Sequence, residues 1–307
     1  MRIAVFGAGG IGGYFGARFA GAGHEVSFIA RGRHLAALLE NGLTIESDVA
    51  PVKSLPVRAS DDPTRLPPAD VVMFCVKLWD VEAAAAQVAP LIAGGGIVIP
   101  FQNGVESHRV LMGMLGAPRV AGGVALIGAV IKGPGVIAHT GTMARLRVGA
   151  FAGGPQAAVA AFAAAGRDAG IDVEVVADIE RALWEKFVFL AAMSGTTALA
   201  RQPLGVVRAD ADLRAALVAS MRETVAVAAA QGMIFDDGFV DRQLVFIDGL
   251  PGEMRSSLLN DLIAGNRLEA PWLAGGVARM AATAGLAAPV NATIYAALKP
   301  FLNGAPA

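Results

Sequence analysis

The chain has only 5 lysines, Lys53, Lys77, Lys132, Lys186 and Lys299, among its 25 Lys and Arg residues. Arginine carries charge but does not readily release a proton, whereas lysine does, so a lysine in an apolar setting is chemically informative here. Lys186 stands in Leu183-Trp184-Glu185-Lys186-Phe187-Val188-Phe189-Leu190, ahead of an uncharged stretch through Ala200. At helical spacing its neighbours are Ala182, Leu190 and Met193, so its face is mostly apolar. Desolvation on such a face favours the neutral amine, and a nearby carboxylate favours the ammonium. The alternative is a stem that snorkels along the helix with its ammonium wet or paired with Glu185. Further on, Ser257 and Asp261 lie four apart on one helical face, with Glu269 eight residues later. Ser257 can bind an oxyanion and Glu269 can orient the lysine. A helix cap, a local ion pair with Arg267 and a solvated acid account for them equally well from spacing alone.

A second chemistry is written at the other end of the chain. Gly7-Ala8-Gly9-Gly10-Ile11-Gly12 fits G-x-G-x-x-G, directly after an apolar strand and at the opening of a helix. Gly7 can make the tight turn, Gly9 lets backbone approach a pyrophosphate, and Gly12 lets the helix close on the strand. The helix N-terminus then offers unpaired N–H groups to the anion. Where the second strand ends, an NAD site shows an acid for the ribose 2'-hydroxyl, about 20 residues beyond the motif. This chain reads Phe28-Ile29-Ala30-Arg31-Gly32-Arg33. Arginine cannot accept a hydrogen bond from a hydroxyl, but its fork grips a 2'-phosphate. The pattern predicts NADPH over NADH, with Arg31 as the main contact and Arg33 as a second; the bland alternative is two solvated loop charges. The missing acid also counts against S-adenosylmethionine.

Two more groups fall at C-terminal strand ends, where doubly wound sheets bind ligands. Lys77 follows Val71-Val72-Met73-Phe74-Cys75-Val76, and Gln102-Asn103-Gly104 follows Ile97-Val98-Ile99-Pro100-Phe101. A lysine ending a buried strand can equally point outward, and Asn-Gly is a common turn pair. The four histidines, His24, His34, His108 and His139, are scattered with no metal-ligand spacing, so no metal is expected.

These residues need a scaffold, and the chain supplies two patterns. From Arg2 to about Val176, short β-branched runs alternate with alanine-rich stretches, the signature of a parallel sheet covered by helices. Expected strands are Ile3–Phe6, Glu25–Ile29, Val71–Cys75 and Ile97–Pro100, with helices near Ile11–Ala20 and Val81–Leu91. The runs Val120–Ile131, Gly135–His139 and Ala144–Val148 have hairpin-like spacing and are expected to extend that sheet. From Asp178 the pattern is helical almost to the end. The expected architecture is a doubly wound Rossmann-type α/β domain over 1–177, then an all-α domain over 178–307.

Composition sets the outer bounds. The 307 residues carry a formal net charge of -1, 55% hydrophobic and 17% charged residues, which excludes disorder and gives no basic face for nucleic acid. Ala83–Val105 is uncharged, but Pro90, Gly94-Gly95-Gly96 and Pro100 interrupt it as a membrane span. The lone Cys75 sits in an apolar run and is expected to be a buried thiol in a reducing compartment. A cytoplasmic protein is expected, and its apolar helical half is compatible with a homodimer.

Taken together, the glycine motif with Arg31, Lys77 after its strand, Gln102-Asn103-Gly104, Leu183-Trp184-Glu185-Lys186, and Ser257-Leu258-Leu259-Asn260-Asp261 with Glu269 and Gly275 resemble the ketopantoate reductase (2-dehydropantoate 2-reductase) family. The resemblance spans essentially the whole chain. It implies NADPH-dependent reduction of a 2-oxo acid between a Rossmann domain and a helical domain, with 2-dehydropantoate, in pantothenate synthesis, as the leading substrate. It further implies Lys186 as general acid, Asn103 and Glu269 assisting at the reacting oxygen, Ser257 holding substrate, and Lys77 near the cofactor. The family tends to carry asparagines four and eight residues after the lysine, against the substrate's polar groups; here those positions are Leu190 and Ser194. A leucine cannot hydrogen-bond a substrate hydroxyl, and an unpaired buried hydroxyl costs about 1 to 3 kcal/mol. The alternatives are a paralogous reductase of a more apolar 2-oxo acid and a non-catalytic NADP(H)-binding regulator. Retention of both Lys186 and Glu269 speaks against the regulator.

Overall fold

The computed structural model describes residues 1–304. The chain divides into two compact units, Met1–Leu183 and Trp184 onward.

In the first unit, β1 (Arg2–Phe6), α1 (Gly10–Gly21) and β2 (Glu25–Ile29) form an opening β-α-β passage, followed by α2 (Gly32–Asn41). Two short strands, β3 (Leu43–Glu46) and β4 (Val52–Leu55), precede β5 (Arg58–Ser60) and β6 (Val71–Phe74). Next come α3 (Val81–Ala85), β7 (Ile97–Pro100) and α4 (Ser107–Leu115). Strands β5-β2-β1-β6-β7 make a wholly parallel sheet in that order. The four residues of each of β6 and β7 are buried, as expected for strands covered on both faces. The order reverses at β1, which places the crevice for a ligand beyond the carboxyl ends of β1 and β6.

The expectation that the later runs extend this sheet is corrected. They form β8 (Ala121–Gly133) and β9 (Val136–Ala150), an antiparallel hairpin in a second sheet. Along its other edge β9 pairs in parallel first with β3 and then with β10 (Asp172–Val175), which follows α5 (Gln156–Asp168). With both edges of β9 occupied inside this second sheet, the hairpin packs against β7 of the first sheet, Gly123 facing Ile99 and Phe101, and among the described residues pairs with it through an isolated bridge between Val98 and Val120. Helix α1 touches both sheets, and the core of the unit is built from Phe15, Phe19, Phe28, Phe101 and Phe162 with the branched strand residues. The stretch expected as one helix, Val81–Leu91, breaks after Ala85 and resumes as a 3-10 turn at Ala89–Ile92. Pro90 has no N–H to continue the ladder.

Helix α6 (Ile179–Ala200) is capped by Asp178, whose carboxylate accepts from the Arg181 N–H at 2.9 Å. From Trp184 onward the chain is helical: α7 (Leu204–Ala209), α8 (Ala211–Ala230), α9 (Phe239–Asp248), α10 (Ser257–Ala264), α11 (Ala274–Thr283) and α12 (Pro289–Leu298). Helix α8 is the hub, touching α7, α9, α11 and α12. Its Glu223 carboxylate accepts from the N–H groups of Val290 and Asn291 at 2.8 and 2.9 Å, satisfying orphan donors in the first turn of α12. Among the described residues, no helix is long and apolar enough to cross a membrane.

Candidate functional site

The glycine-rich turn is built as its chemistry requires. The N–H groups of Gly7 and Ala8 donate to the Ile29 carbonyl at 3.1 and 3.2 Å, pinning the turn to the end of β2. Gly7 adopts φ +105°, and a Cβ there would lie 2.9 Å from the Cys75 backbone, so only glycine fits. A Cβ on Gly12 would run into the Gly7 carbonyl and reach 2.7 Å from the Val5 side chain, and one on Gly10 would strike the Ala129 backbone of β8. Gly9 differs: a Cβ there meets nothing within 4 Å. It is the N-cap of α1, with no side-chain cap. Open space on the backbone side of an uncapped twelve-residue helix start suits a pyrophosphate, and Ile11 follows in the first turn.

The other groups expected at this edge share it. Arg31 is exposed and is the N-cap of α2, two residues past β2. Arg33 is exposed in the first turn of that helix. Lys77 is exposed, precedes a 3-10 turn at Leu78–Asp80, and carries its ammonium 5.5 Å from the Trp79 ring centroid. Asn103 is half-buried just past β7, beside Gly104 at φ +97°. Its neighbour Gln102 is buried and donates from Nε2 to the Phe74 carbonyl at 3.0 Å, tying the ends of β6 and β7 together. Among the described residues Gln102 Oε1 is a buried acceptor without a partner. Cys75, expected buried, is only partly covered; it follows β6, and desolvation pushes its thiol up.

One residue of this edge was not singled out by the sequence. The His34 ring lies 2.9 Å from the Ala8 carbonyl through Nε2, and the Gly135 N–H donates to its Nδ1 at 3.1 Å. A carbonyl only accepts and an amide N–H only donates, so these partners specify the neutral tautomer with hydrogen on Nε2. Burial lowers its pKa, opposed by the bond to Ala8.

The second unit holds the lysine. Lys186 is half-buried on α6, between the buried Trp184 and Phe187. Desolvation lowers its pKa to about 8, while the Glu269 carboxylate raises it. Glu269 is buried, and its backbone carbonyl accepts from Trp272 and Leu273 in the turn that leads into α11. Gly275 gives α11 close packing: a Cβ there would lie 2.9 Å from the Tyr295 ring.

Near the start of α10 the two serines divide the work. Ser256 is the buried N-cap, accepting from the Leu259 N–H at 3.1 Å and bonded to the Thr197 hydroxyl at 2.9 Å. Ser257 is exposed at the first helical position. Asp261 accepts from Asn266 Nδ2 at 3.1 Å, a local bond across the end of the helix. On α6, Leu190 is buried, and Ser194 is buried with Oγ unpartnered among the described residues. No trio of His, Cys, Asp or Glu among the described residues is placed to hold a metal.

Comparison with known proteins is consistent over both units. The profile described as Ketopantoate reductase PanE/ApbA matches residues 3–153, and Ketopantoate reductase PanE/ApbA C terminal matches 178–301. The uncharacterized oxidoreductase YkpB of Bacillus subtilis is 30% identical, covering 97% of this chain and 98% of its own. The 2-dehydropantoate 2-reductase of Archaeoglobus fulgidus is 32% identical, covering 96% of this chain and 95% of its own. The crystal structure of a PanE/ApbA family ketopantoate reductase from Ralstonia eutropha JMP134 superposes with a TM-score of 0.89 at 32% identity, over 98% of each chain.

Proposed function

The chain belongs to the ketopantoate reductase family, whose members are oxidoreductases acting on CH–OH groups, and from that premise we propose that it reduces a 2-oxo acid with NADPH, with 2-dehydropantoate as the leading substrate. The observation that carries this reading is the half-buried Lys186, its pKa lowered to about 8 by desolvation and supported by Glu269.

Glycines 7, 9, 10 and 12 with Ile11 would hold the pyrophosphate, Arg31 the 2'-phosphate, and Lys77 and Asn103 the portion beyond the ends of β6 and β7. When bound, the nicotinamide supplies the hydride that adds to the carbonyl carbon. At neutral pH a lysine of pKa about 8 is mostly the ammonium, so Lys186 holds a proton for the carbonyl oxygen as negative charge builds there. Because that pKa is near the working pH, the same amine can release the proton and regain one from water. A positioned acid of this kind is worth about 100- to 10,000-fold in rate. Glu269 favours the charged form and orients it. Asn103 is assigned a hydrogen bond at the reacting oxygen, and Ser257 and Ser194 contacts to the substrate.

A second reading, a paralogous reductase for a more apolar 2-oxo acid, is favoured by Leu190, which offers no hydrogen bond. Steady-state NADPH oxidation over a panel of 2-oxo acids tests both. Highest kcat/KM for 2-dehydropantoate supports the first reading, preference for an alkyl or aryl analogue supports the second, and no turnover with any of them refutes the enzyme.

A further inference from the structure

We propose that His34 is a positioning residue for nucleotide discrimination: its imidazole ties the glycine-rich turn to the helix headed by Arg31, and so sets the spacing between the pyrophosphate cradle and the 2'-phosphate contact. The inference rests on the reading of NADPH as cofactor.

The ring makes two bonds to two distant segments. Its Nε2–H donates to the carbonyl of Ala8, the residue between Gly7 and Gly9, and its Nδ1 accepts from Gly135 at the tip of the β8-β9 hairpin. Each of these segments is held from elsewhere as well. The Ala8 N–H bonds the Ile29 carbonyl, and the Gly135 carbonyl accepts from the Thr44 N–H at 2.9 Å. Gly135 has φ +75°, and a Cβ there would lie 3.2 Å from the Ala37 Cβ. Ala37 is one helical turn beyond His34, so the same face of α2 rests on the hairpin tip.

The geometry has a direct consequence for binding. The turn is bound to β2 by backbone, whereas α2 follows β2 through Ala30 and Arg31 and packs its far side on β5 and, through Leu38, on the core, so at its start the imidazole is the side-chain bond that reaches the cradle. Without the imidazole, the start of α2 keeps its covalent link to the sheet and loses its side-chain bond to the cradle. A ligand that touches only the cradle is then little affected. One that bridges cradle and Arg31 must first order the pair.

The test is fluorescence titration of NADPH and NADH against the full chain, wild type and three variants, with thermal melts alongside. His34→Ala removes both bonds, and the preference for NADPH over NADH is expected to fall about 10-fold, the scale of one net hydrogen bond. His34→Gln, whose amide can donate toward Ala8, is expected to restore most of that preference. If His34→Ala fails to fold, His34→Asn, too short to reach Ala8, is expected to show the same loss. An unchanged preference, or an equal weakening of both nucleotides with no rescue by glutamine, overturns the proposal while leaving the cofactor reading intact. A wild-type chain that binds neither nucleotide removes the cofactor reading and the proposal together.

Discussion

Burial and the Glu269 carboxylate act in opposite directions on the Lys186 amine: desolvation pulls its pKa down to about 8, and the acid limits the fall. Removing the amine should therefore remove chemistry rather than nucleotide binding. Lys186→Ala is expected to lower kcat by about 100- to 10,000-fold with NADPH affinity within a few-fold of wild type. Lys186→Arg should be nearly as poor, since a guanidinium keeps its proton. Turnover within a few-fold of wild type in Lys186→Ala would remove the assigned role.

The same balance fixes a pH profile. Reduction needs the ammonium, so its rate is expected to fall as pH rises through about 8, while the reverse oxidation, which needs the neutral amine, gains over that range. Glu269→Gln removes the group that raises the pKa and should move the fall to lower pH. An unmoved profile would mean that Glu269 does not act through the lysine.

Stability carries the opposite sign. An unfolded lysine titrates near 10.4 and the folded one near 8, so between those values the unfolded chain binds more protons and stability rises with pH. Below about 8 both states hold the proton, and the burial cost of the charge is present in full. Lys186→Met, of similar length and without the charge, is expected to melt a few degrees higher than wild type at pH 7, with the gap narrowing towards pH 10. Calorimetric melts across that range check it.

Two glycines of one motif should fail differently. A methyl on Gly12 collides with the Gly7 carbonyl and Val5, whereas one on Gly9 meets nothing within 4 Å. Gly12→Ala is expected to lower the melting temperature by several degrees. Gly9→Ala should leave melting nearly unchanged and weaken NADPH at least 10-fold, because the methyl occupies the pyrophosphate's approach. Equal effects on melting would refute the cradle.

Arg31→Ala is expected to weaken NADPH by about 10- to 100-fold, the range for a charge-assisted hydrogen bond, and NADH by little. Arg33→Ala should show the smaller share. Equal loss for both nucleotides would reassign Arg31 to the pyrophosphate.

Much of this was legible in the chain itself, for reasons that differ by element. Strands β2 and β7 fall where the sequence places them, and β1 and β6 within one residue, because the buried part of a parallel strand covered on both faces is mostly apolar. The glycine turn is local chemistry, readable from six consecutive residues. Strands β3, β4, β5 and β10 escaped notice because they are only three or four residues long and carry exposed polar side chains such as Lys53, Ser54, Arg58 and Glu174. The hairpin was visible but its sheet was not, since sheet membership is decided by β3 and β10, far away in sequence. His34 looked like one of four scattered histidines because its partners stand 26 and 101 residues away. Lys186 could be suspected from composition, but its coupling to Glu269 spans a fold that spacing alone cannot close.

The contact between Gly10 and the Ala129 backbone extends the reach of the hairpin. Helix α1 sits like a shim between two sheets, and a side chain at position 10 would act as a wedge at its thin end. Damage along β8 should therefore be felt as a slackened coenzyme grip, and coenzyme occupancy should in turn brace the hairpin against unzipping.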